Sequence, residues 1–302
     1  MWALLKATVE GFIADDALSR GASIAYYTLF ALAPVLLVVI AVAGSVFGHE
    51  AAEGAIVAQL SGLMGRKTAE ALQAMIESAN QPREGLWATL IGVAVILVAA
   101  SGVFGEVQSA LNAIWKAKPQ SSTVFRLVRA RAASLGLVIT FGFVLMVSLT
   151  ASAALQALSG YLAGVFPARE LAVQVVDFTI SIGLMWGMFA VMYKVLPDTP
   201  VAWRDVAIGA LATTGLFQGG KYLIALYIGQ SDIASSFGAA FALIILLLWI
   251  FYSAQIFLLG AEFTRAFARL HGSRRGEDRR GEDVEAEPST TGKRAGTAPS
   301  AL

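Results

Sequence analysis

Long uncharged apolar runs recur along this chain, and short segments that carry most of its charges separate them. A helix needs about 20 apolar residues to cross a hydrocarbon core that is about 30 Å thick. Six runs reach that length, so the pattern predicts six membrane-spanning helices. Their predicted limits are 22–47, 86–115, 132–158, 171–194, 205–229 and 233–262. The predicted fold class is therefore all-α, as a polytopic integral membrane protein.

The segments outside these spans have patterns of their own. Residues 1–20 place apolar side chains at helical spacing, which predicts an amphipathic helix in the membrane interface. These side chains are Trp2, Leu5, Val9, Phe12 and Ile13. The outer loop 49–85 predicts two short amphipathic helices with a break at Gly65. Residues 271–302 are rich in Arg, Glu, Asp and Gly, which predicts a disordered cytoplasmic tail after a transmembrane domain over 21–270.

The positions of lysine and arginine predict how the spans are oriented. Loops that stay in the cytoplasm carry an excess of these residues. If both ends of the chain lie on one side, most of the 22 Lys and Arg residues fall on that side. The opposite loops then hold only Arg66, Lys67, Arg83 and Arg169. Both termini are therefore expected in the cytoplasm.

Composition supports the membrane assignment and excludes several functions. Of 302 residues, 57% are apolar and 14% are charged, whereas soluble proteins carry about 25% charged residues. A net charge of +1 argues against nucleic acid as a partner, since such a partner requires a concentrated cationic surface. The absence of cysteine excludes disulfides, thiolate catalysis and Cys-based metal sites.

Polar residues inside the predicted spans are the candidate functional residues. An ionisable group in hydrocarbon costs about 2.5–3.5 kcal/mol on insertion scales, so it usually faces the bundle interior and is paired. Two polar stripes have helical spacing: Gln174, Asp177 and Ser181 on the fourth span, and Thr214, Gln218 and Lys221 on the fifth. Asp177 and Lys221 lie roughly 9 and 12 Å from the outer ends of their spans, at about 1.5 Å per residue. We expect the two to pair, either as a structural ion pair or as a substrate or proton site.

A second polar group is predicted nearer the cytoplasm. Glu106, Gln108 and Asn112 on the second span, with Glu262 at the end of the sixth, predict a polar lining of the cytoplasmic half. Asn112 has an equally good alternative as a hydrogen-bonding group between helices. For Glu262 the alternative is an ion pair with Arg265, three residues further along the same helix.

Proline, glycine and methionine positions bear mainly on packing. Pro34 lies within the first span and predicts a kink, which serves either as a hinge or as a packing accommodation. Small residues four apart let helices approach closely, and a methionine stripe is typical of core packing. The candidates are Gly44 with Gly48, Gly160 with Gly164, Gly183 with Gly187, Gly215 with Gly219, and Met185, Met188 and Met192.

Several local motifs resemble the YihY/BrkB family of bacterial inner-membrane proteins, formerly labelled ribonuclease BN. The motifs are the run from Ala22 to Pro34, Gly102 to Gly105 followed by Asn112 and Trp115, Tyr193 to Pro197 followed by Trp203, and Phe237-Gly238 followed by Trp249, Tyr252 and Glu262. The resemblance implies a six-helix protein of the bacterial cytoplasmic (inner) membrane, for which transport is the activity usually suggested. It does not supply a substrate.

No residue pattern indicates catalysis. The only histidines, His49 and His271, fall in an outer loop and in the tail, and no nucleotide-binding or metal-binding motif is present. We therefore expect no enzyme activity, ribonuclease included, and no metal or cofactor.

The leading hypothesis is a transporter without its own ATPase, which moves a small-molecule or lipid-like substrate through a polar intramembrane cavity. The lipid bilayer is then its main partner, and the glycine pairs are compatible with a homo-oligomer. The alternative is a membrane scaffold that recruits partners and transports nothing.

Overall fold

The computed structural model describes residues 1–64, 69–70, 73–74, 102–117, 147, 150, 169–229 and 238–275. All regular structure in this part of the chain is helical, which confirms the all-α prediction for it. The helices are α1 (Trp2–Ala14), α2 (Ala17–Phe47), α3 (His49–Met64), α4 (102–114), α5 (Arg169–Val195), α6 (Trp203–Gly229) and α7 (Gly238–Leu270).

Four predicted spans correspond to long helices or to part of one. The span 22–47 lies within α2, the spans 171–194 and 205–229 lie within α5 and α6, and most of 233–262 lies within α7. The predicted span 132–158, apart from Val147 and Thr150, and the first half of 86–115 lie outside the described residues, as do Gly65 and the tail beyond Arg275. The count of six spans therefore stays a prediction.

The chain turns sharply between α1 and α2. Only Asp15 and Asp16 separate the two helices, and Asp16 has a left-handed backbone with φ of 51°. Aspartate is among the residues that adopt this conformation most readily. The turn lays α1 against the last part of α7, and α7 also packs against α2 and α6.

Two of the described helices contain segments long and apolar enough to cross a membrane. They are Phe178–Val195 in α5 and Leu243–Leu270 in α7, with mean hydropathies of 1.4 and 2.3. Only 17% of the first segment is buried inside the protein, and large apolar side chains such as Phe178, Leu211 and Ile244 point outward. Because water disfavours so much exposed apolar surface, a hydrocarbon surrounding accounts for it.

Glycine and threonine pack reciprocally where α6 meets α7. A Cβ atom added to Gly209 would overlap the hydroxyl of Thr264, and one added to Gly260 would overlap the hydroxyl of Thr213. Each hydroxyl is satisfied within its own helix, because Thr213 donates to the Gly209 carbonyl at 2.8 Å and Thr264 to the Gly260 carbonyl at 2.6 Å. The two backbones can therefore approach without leaving a buried polar group unpaired.

The glycine pairs predicted from spacing lie away from the contact between α6 and α7. Gly160 and Gly164 lie outside the described residues, and Gly44 lies against the backbone of His49, at the start of the next helix. Cβ atoms added to Gly183, Gly187, Gly215 or Gly219 would meet nothing within 4 Å in the described part of the structure. Spacing identifies a smooth helix face but not the face that a neighbour covers, and here Gly209 and Gly260 form the contact.

Tyr193 connects three helices at the centre of the bundle. Its side chain is 0% exposed; the hydroxyl donates to the Phe257 carbonyl of α7 at 2.7 Å and lies 3.0 Å from the Thr213 hydroxyl of α6. The end of α5 is therefore held against both neighbours at one point.

We predict that Gly209→Ala destabilises the protein by about 1–3 kcal/mol, the usual cost of overpacking a tight contact. The matched control Gly219→Ala should be neutral or slightly stabilising, because its Cβ enters open space on the same helix. The measurement is the thermal unfolding midpoint of each purified variant in one detergent. Equal midpoints for the two variants would show that the Gly209 contact contributes nothing.

Candidate functional site

Segments far apart in sequence meet at one end of the bundle, which we call the α1 end. Two of these segments are α1 and residues 112–117, which comprise the end of α4 and the three residues after it. The others are the 196–202 loop between α5 and α6, and the end of α7 with residues 271–275. All of these segments were predicted on the cytoplasmic side. Their direct contacts place them on the same side of the molecule.

Asp15 is the centre of an ionic cluster at the α1 end. Its side chain is only 3% exposed, and one carboxylate oxygen contacts the Lys116 ammonium. The other accepts a hydrogen bond at 3.1 Å from Arg265 of α7. The backbone carbonyl of Asp15 also accepts a hydrogen bond at 2.9 Å from Nε of Arg20. One buried residue thereby connects the α1–α2 turn to the ends of α4 and α7.

Glu262 lies beside this cluster and is more completely buried. Its side chain is 2% exposed, and its Oε2 lies 3.7 Å from the Arg265 guanidinium. The same guanidinium nitrogen binds Asp15 at 3.1 Å, while Glu262 Oε1 is buried with no hydrogen-bond partner among the described residues. Space for it comes from Gly11, where any Cβ would press against the Glu262 carboxyl.

The backbone is left-handed on both sides of this cluster, and it is strained at Lys116. Asp16 and Lys116, with φ values of 51° and 50°, are the two non-glycine residues with positive φ in the described part of the chain. A left-handed residue costs roughly 1–2 kcal/mol unless it is Gly, Asn or Asp, and such strain concentrates at functional sites. The Lys116 conformation ends α4 and brings its ammonium group to Asp15.

A cavity of ≈ 410 Å³ opens onto the cluster, and we call it the polar cavity. Its charged lining consists of Glu10, Asp15, Lys116, Glu262, Arg265 and Arg269. Acidic and basic groups are equal in number in this lining, so the cavity is polar without a dominant charge.

A second cavity, of ≈ 560 Å³, lies deeper in the bundle, and we call it the apolar cavity. Every described helix except α1 contributes to it. Its largest lining side chains include Met185, Met188, Met192, Phe104, Phe189, Phe217 and Phe257. Among the lining residues only Thr28 and Ser253 are polar, and the Ser253 hydroxyl already donates to the Trp249 carbonyl at 2.8 Å. The methionine stripe thus faces an internal space.

The two cavities follow each other along the bundle axis. On α7, Phe257 lines the apolar cavity and Glu262 lines the polar one. The two residues are separated by about 7.5 Å along the helix axis. A packed layer separates them, since Leu111, Tyr193 and Leu258 are all 0% exposed. The apolar cavity is therefore closed toward the α1 end in this conformation.

The predicted lining residues Gln108 and Asn112 bind a loop residue. Asn112 Nδ2 donates to Asp198 at 2.8 Å, the Asp198 amide donates back to Asn112 Oδ1 at 2.8 Å, and Gln108 donates to the same carboxylate at 3.2 Å. Asn112 thus serves as a hydrogen-bonding group, which was the alternative prediction for it, but its partner lies in the α5–α6 loop and not in another helix. Glu106 is half-buried on the same helix, and Glu262 lies apart from them, in the Asp15 cluster.

The outer polar stripes are only partly described. The side chains of Gln174 and Asp177 lie outside the described residues, so the Asp177–Lys221 pair stays a prediction. Ser181, Gln218 and Lys221 are half-buried, and the buried Thr214 hydroxyl donates to its own helix, at the Ala210 carbonyl, at 2.8 Å. None of the four residues whose side chains are described is among the lining residues of the apolar cavity.

The polar intramembrane cavity predicted from these stripes also stays a prediction, since part of each stripe's surroundings lies outside the described residues. In the described part of the chain the larger of the two cavities is apolar, and the ionic cluster lies at the α1 end. Helical spacing assigns polar residues to a face without showing what that face meets. The proposed hinge at Pro34 is untested; α2 continues through this position without a break.

The end of α7 adds contacts that the sequence did not indicate. The backbone amide and the hydroxyl of Ser273 donate to Asp205 at 3.1 and 2.6 Å. Arg274 donates to the Thr199 hydroxyl at 2.9 Å and lies over the Trp115 ring, 5.2 Å from its centroid. Ordered structure therefore extends to Arg275, beyond the predicted start of the tail at 271.

Sequence reasoning missed Asp15 and Lys116. Neither was a candidate residue, because they are 101 positions apart and no local pattern indicates their contact. The one signal in the sequence was Glu262. An acidic side chain at the end of an apolar span requires a polar neighbour, although the sequence does not show which residue that is.

Comparison with known proteins gives a consistent assignment. A family model described as Virulence factor BrkB matches residues 8–284. A UPF0761 membrane protein of Acinetobacter baylyi is 27% identical over 265 residues, which cover 87% of this chain and 61% of that relative. One from Alcanivorax borkumensis is 28% identical over 270 residues, covering 85% and 58%. One from Citrobacter koseri is 32% identical over 180 residues, covering 58% of each chain.

The chain therefore spans only about 60% of the length of each of these curated relatives: 61%, 58% and 58%. No solved structure matches it.

We predict that Asp15→Asn destabilises the protein by about 1.5–3 kcal/mol, the range for hydrogen bonds to charged groups. The neutral amide loses its attraction to both Lys116 and Arg265. Asp16→Asn is the matched control, because Asp16 is exposed and asparagine also adopts the left-handed backbone. Chemical or thermal unfolding in detergent measures both; a loss of similar size in the control would mean that the ionic cluster does not stabilise the fold.

Proposed function

The chain belongs to the BrkB family, as its motifs predicted, and on that premise we propose that this integral membrane protein binds an amphiphilic, lipid-like molecule and moves it across the bilayer. The observation that carries the proposal is the apolar cavity, which lies next to a charged cavity along the same bundle axis. An amphiphile likewise consists of an apolar chain joined to a polar headgroup, so its two parts match the two cavities.

The size and lining of the apolar cavity suit a hydrocarbon chain. Ligand cavities in proteins typically measure about 300–1,000 Å³ and are lined mainly by apolar side chains with few polar groups. The volume of ≈ 560 Å³ lies within that range. Methionine adapts to irregular apolar shapes, so Met185, Met188 and Met192 would tolerate chains of differing length.

The packed layer between the cavities provides the moving part that transport requires. Leu111 of α4 and Leu258 of α7 close the apolar cavity toward the α1 end. Separation of α4 from α7 at this layer would join the two cavities and let a headgroup reach the charged residues. We place the α1 end in the cytoplasm, following the distribution of lysine and arginine.

The proposal involves no catalytic step and no nucleotide hydrolysis. Movement would be driven by an ion gradient, by a partner protein or by the gradient of the amphiphile itself. The lipid bilayer supplies the surroundings in each case.

We predict saturable amphiphile binding in the apolar cavity. The chain has no cysteine, so Met188→Cys can be labelled with bimane and the protein placed in phosphatidylcholine nanodiscs. A spin-labelled fatty acid should then quench the fluorescence along a saturating curve. Leu211→Cys is the control, since this side chain is 60% exposed on the outer surface of α6 and should show quenching in proportion to the probe.

Blocking the cavity should remove both binding and transport. In the labelled Met188→Cys protein, the added substitution Phe217→Trp crowds the apolar cavity and should abolish the saturating component. In vesicles, Met188→Trp should slow the flipping of a fluorescent phospholipid by about tenfold or more, equivalent to about 1.4 kcal/mol. Proportional quenching at Met188, with no flipping above protein-free vesicles, would overturn the proposal and favour the non-transporting scaffold.

A further inference from the structure

Asp15 and Glu262 bring two acidic side chains together beside the polar cavity. Both carboxyl groups are almost fully buried, at 3% and 2% exposure, and both approach the same nitrogen, Nη1 of Arg265, at 3.1 and 3.7 Å. Two carboxylates so close cannot both be ionised without strong mutual repulsion. A proton held between them removes that repulsion.

The neighbouring cations contact the two acids unequally. Arg265 lies 3.1 Å from Asp15 but 3.7 Å from Glu262, beyond hydrogen-bonding distance. Lys116 contacts Asp15 and is 58% exposed, so water screens much of its charge. Asp15 therefore receives the closer cationic contacts. Glu262 keeps the longer ion pair with Arg265 that the sequence predicted, and its buried Oε1 has no hydrogen-bond partner among the described residues.

The other charged groups around the pair come from each adjacent segment. Glu10 of α1 and Arg269 of α7 line the same polar cavity. Asp16 and Arg20 lie in and after the α1–α2 turn, where Arg20 binds the backbone carbonyl of Asp15 and not its carboxylate. None of these side chains supplies the missing partner of Glu262 Oε1.

We propose that Asp15 and Glu262 form a proton-binding site, which holds one shared proton and exchanges it with water through the polar cavity. The cavity of ≈ 410 Å³ borders both residues and is large and polar enough to admit water. As a coupling site for transport this inference rests on the proposed function, but the proton site itself does not.

Release of the proton would change the contact between α1 and α7. Gly11 of α1 lies directly against the Glu262 carboxyl, so a second negative charge there repels Asp15 and the end of α1 from α7. The packed layer at Leu258 lies about one turn away on α7. Proton release would therefore loosen the end of the bundle at which the apolar cavity is closed.

Stability measured against pH tests the proton site directly. Over about pH 6 to 9 an ordinary carboxyl has already lost its proton. If the folded pair holds a proton that the unfolded chain has released, stability must fall as pH rises through this range. We expect the unfolding midpoint of the wild type to fall with pH. The midpoint of Glu262→Gln, which has nearly the same shape and needs no proton, should change less.

A control and a spectroscopic measurement complete the test. Glu50→Gln removes an exposed carboxyl on α3 and should keep the wild-type pH profile. Infrared difference spectra between the two pH limits should show a protonated carboxyl band that is lost on raising the pH in the wild type. The band should be absent in Glu262→Gln.

Identical pH profiles for wild type and Glu262→Gln, without such a band, would overturn the proton site. The result is separable from that of the proposed function. A confirmed band with no saturable amphiphile binding leaves the proton site standing and removes transport. Saturable amphiphile binding without the carboxyl band supports the proposed function and removes the proton site.

Discussion

The close approach of α6 and α7 is the constraint on which the other features depend. In a membrane the hydrophobic effect does not hold helices together, so packing of small residues must do so. Gly209 and Thr213 on one helix receive Gly260 and Thr264 of the other. This contact fixes the direction in which α7 presents its remaining faces, one toward α2 and one toward α1.

From that arrangement the partition between apolar and charged space follows. The part of α7 before Leu258 faces a cavity surrounded by methionine and phenylalanine, and the part after it faces α1 and the Asp15 cluster. Charged groups are far cheaper at the end of a bundle than in its middle, because water and headgroups are near. The described structure therefore keeps its buried acids at the α1 end.

The candidate site was predictable only where a residue was anomalous by itself. Glu262, an acid at the end of an apolar span, stood out in the sequence, and so did the polar residues Gln108 and Asn112. Their partners did not, because Asp15 and Asp198 belong to short connecting segments whose acids resemble any solvated charge. The glycine pairs show the same limit, since spacing predicted contacts at Gly215 and Gly219, where no neighbour among the described residues comes within 4 Å of an added Cβ atom.

What the sequence by itself determined is the helical fold, the family and the membrane setting of this protein, because long apolar runs in a fixed order of motifs permit nothing else. Only the tertiary structure decided which faces meet: the reciprocal contact of α6 with α7, the burial of Asp15 against Glu262, and the apolar nature of the cavity. The physical reason is that helical periodicity defines the faces of each helix alone, whereas burial and ion pairing depend on the distances between helices, which no local pattern contains.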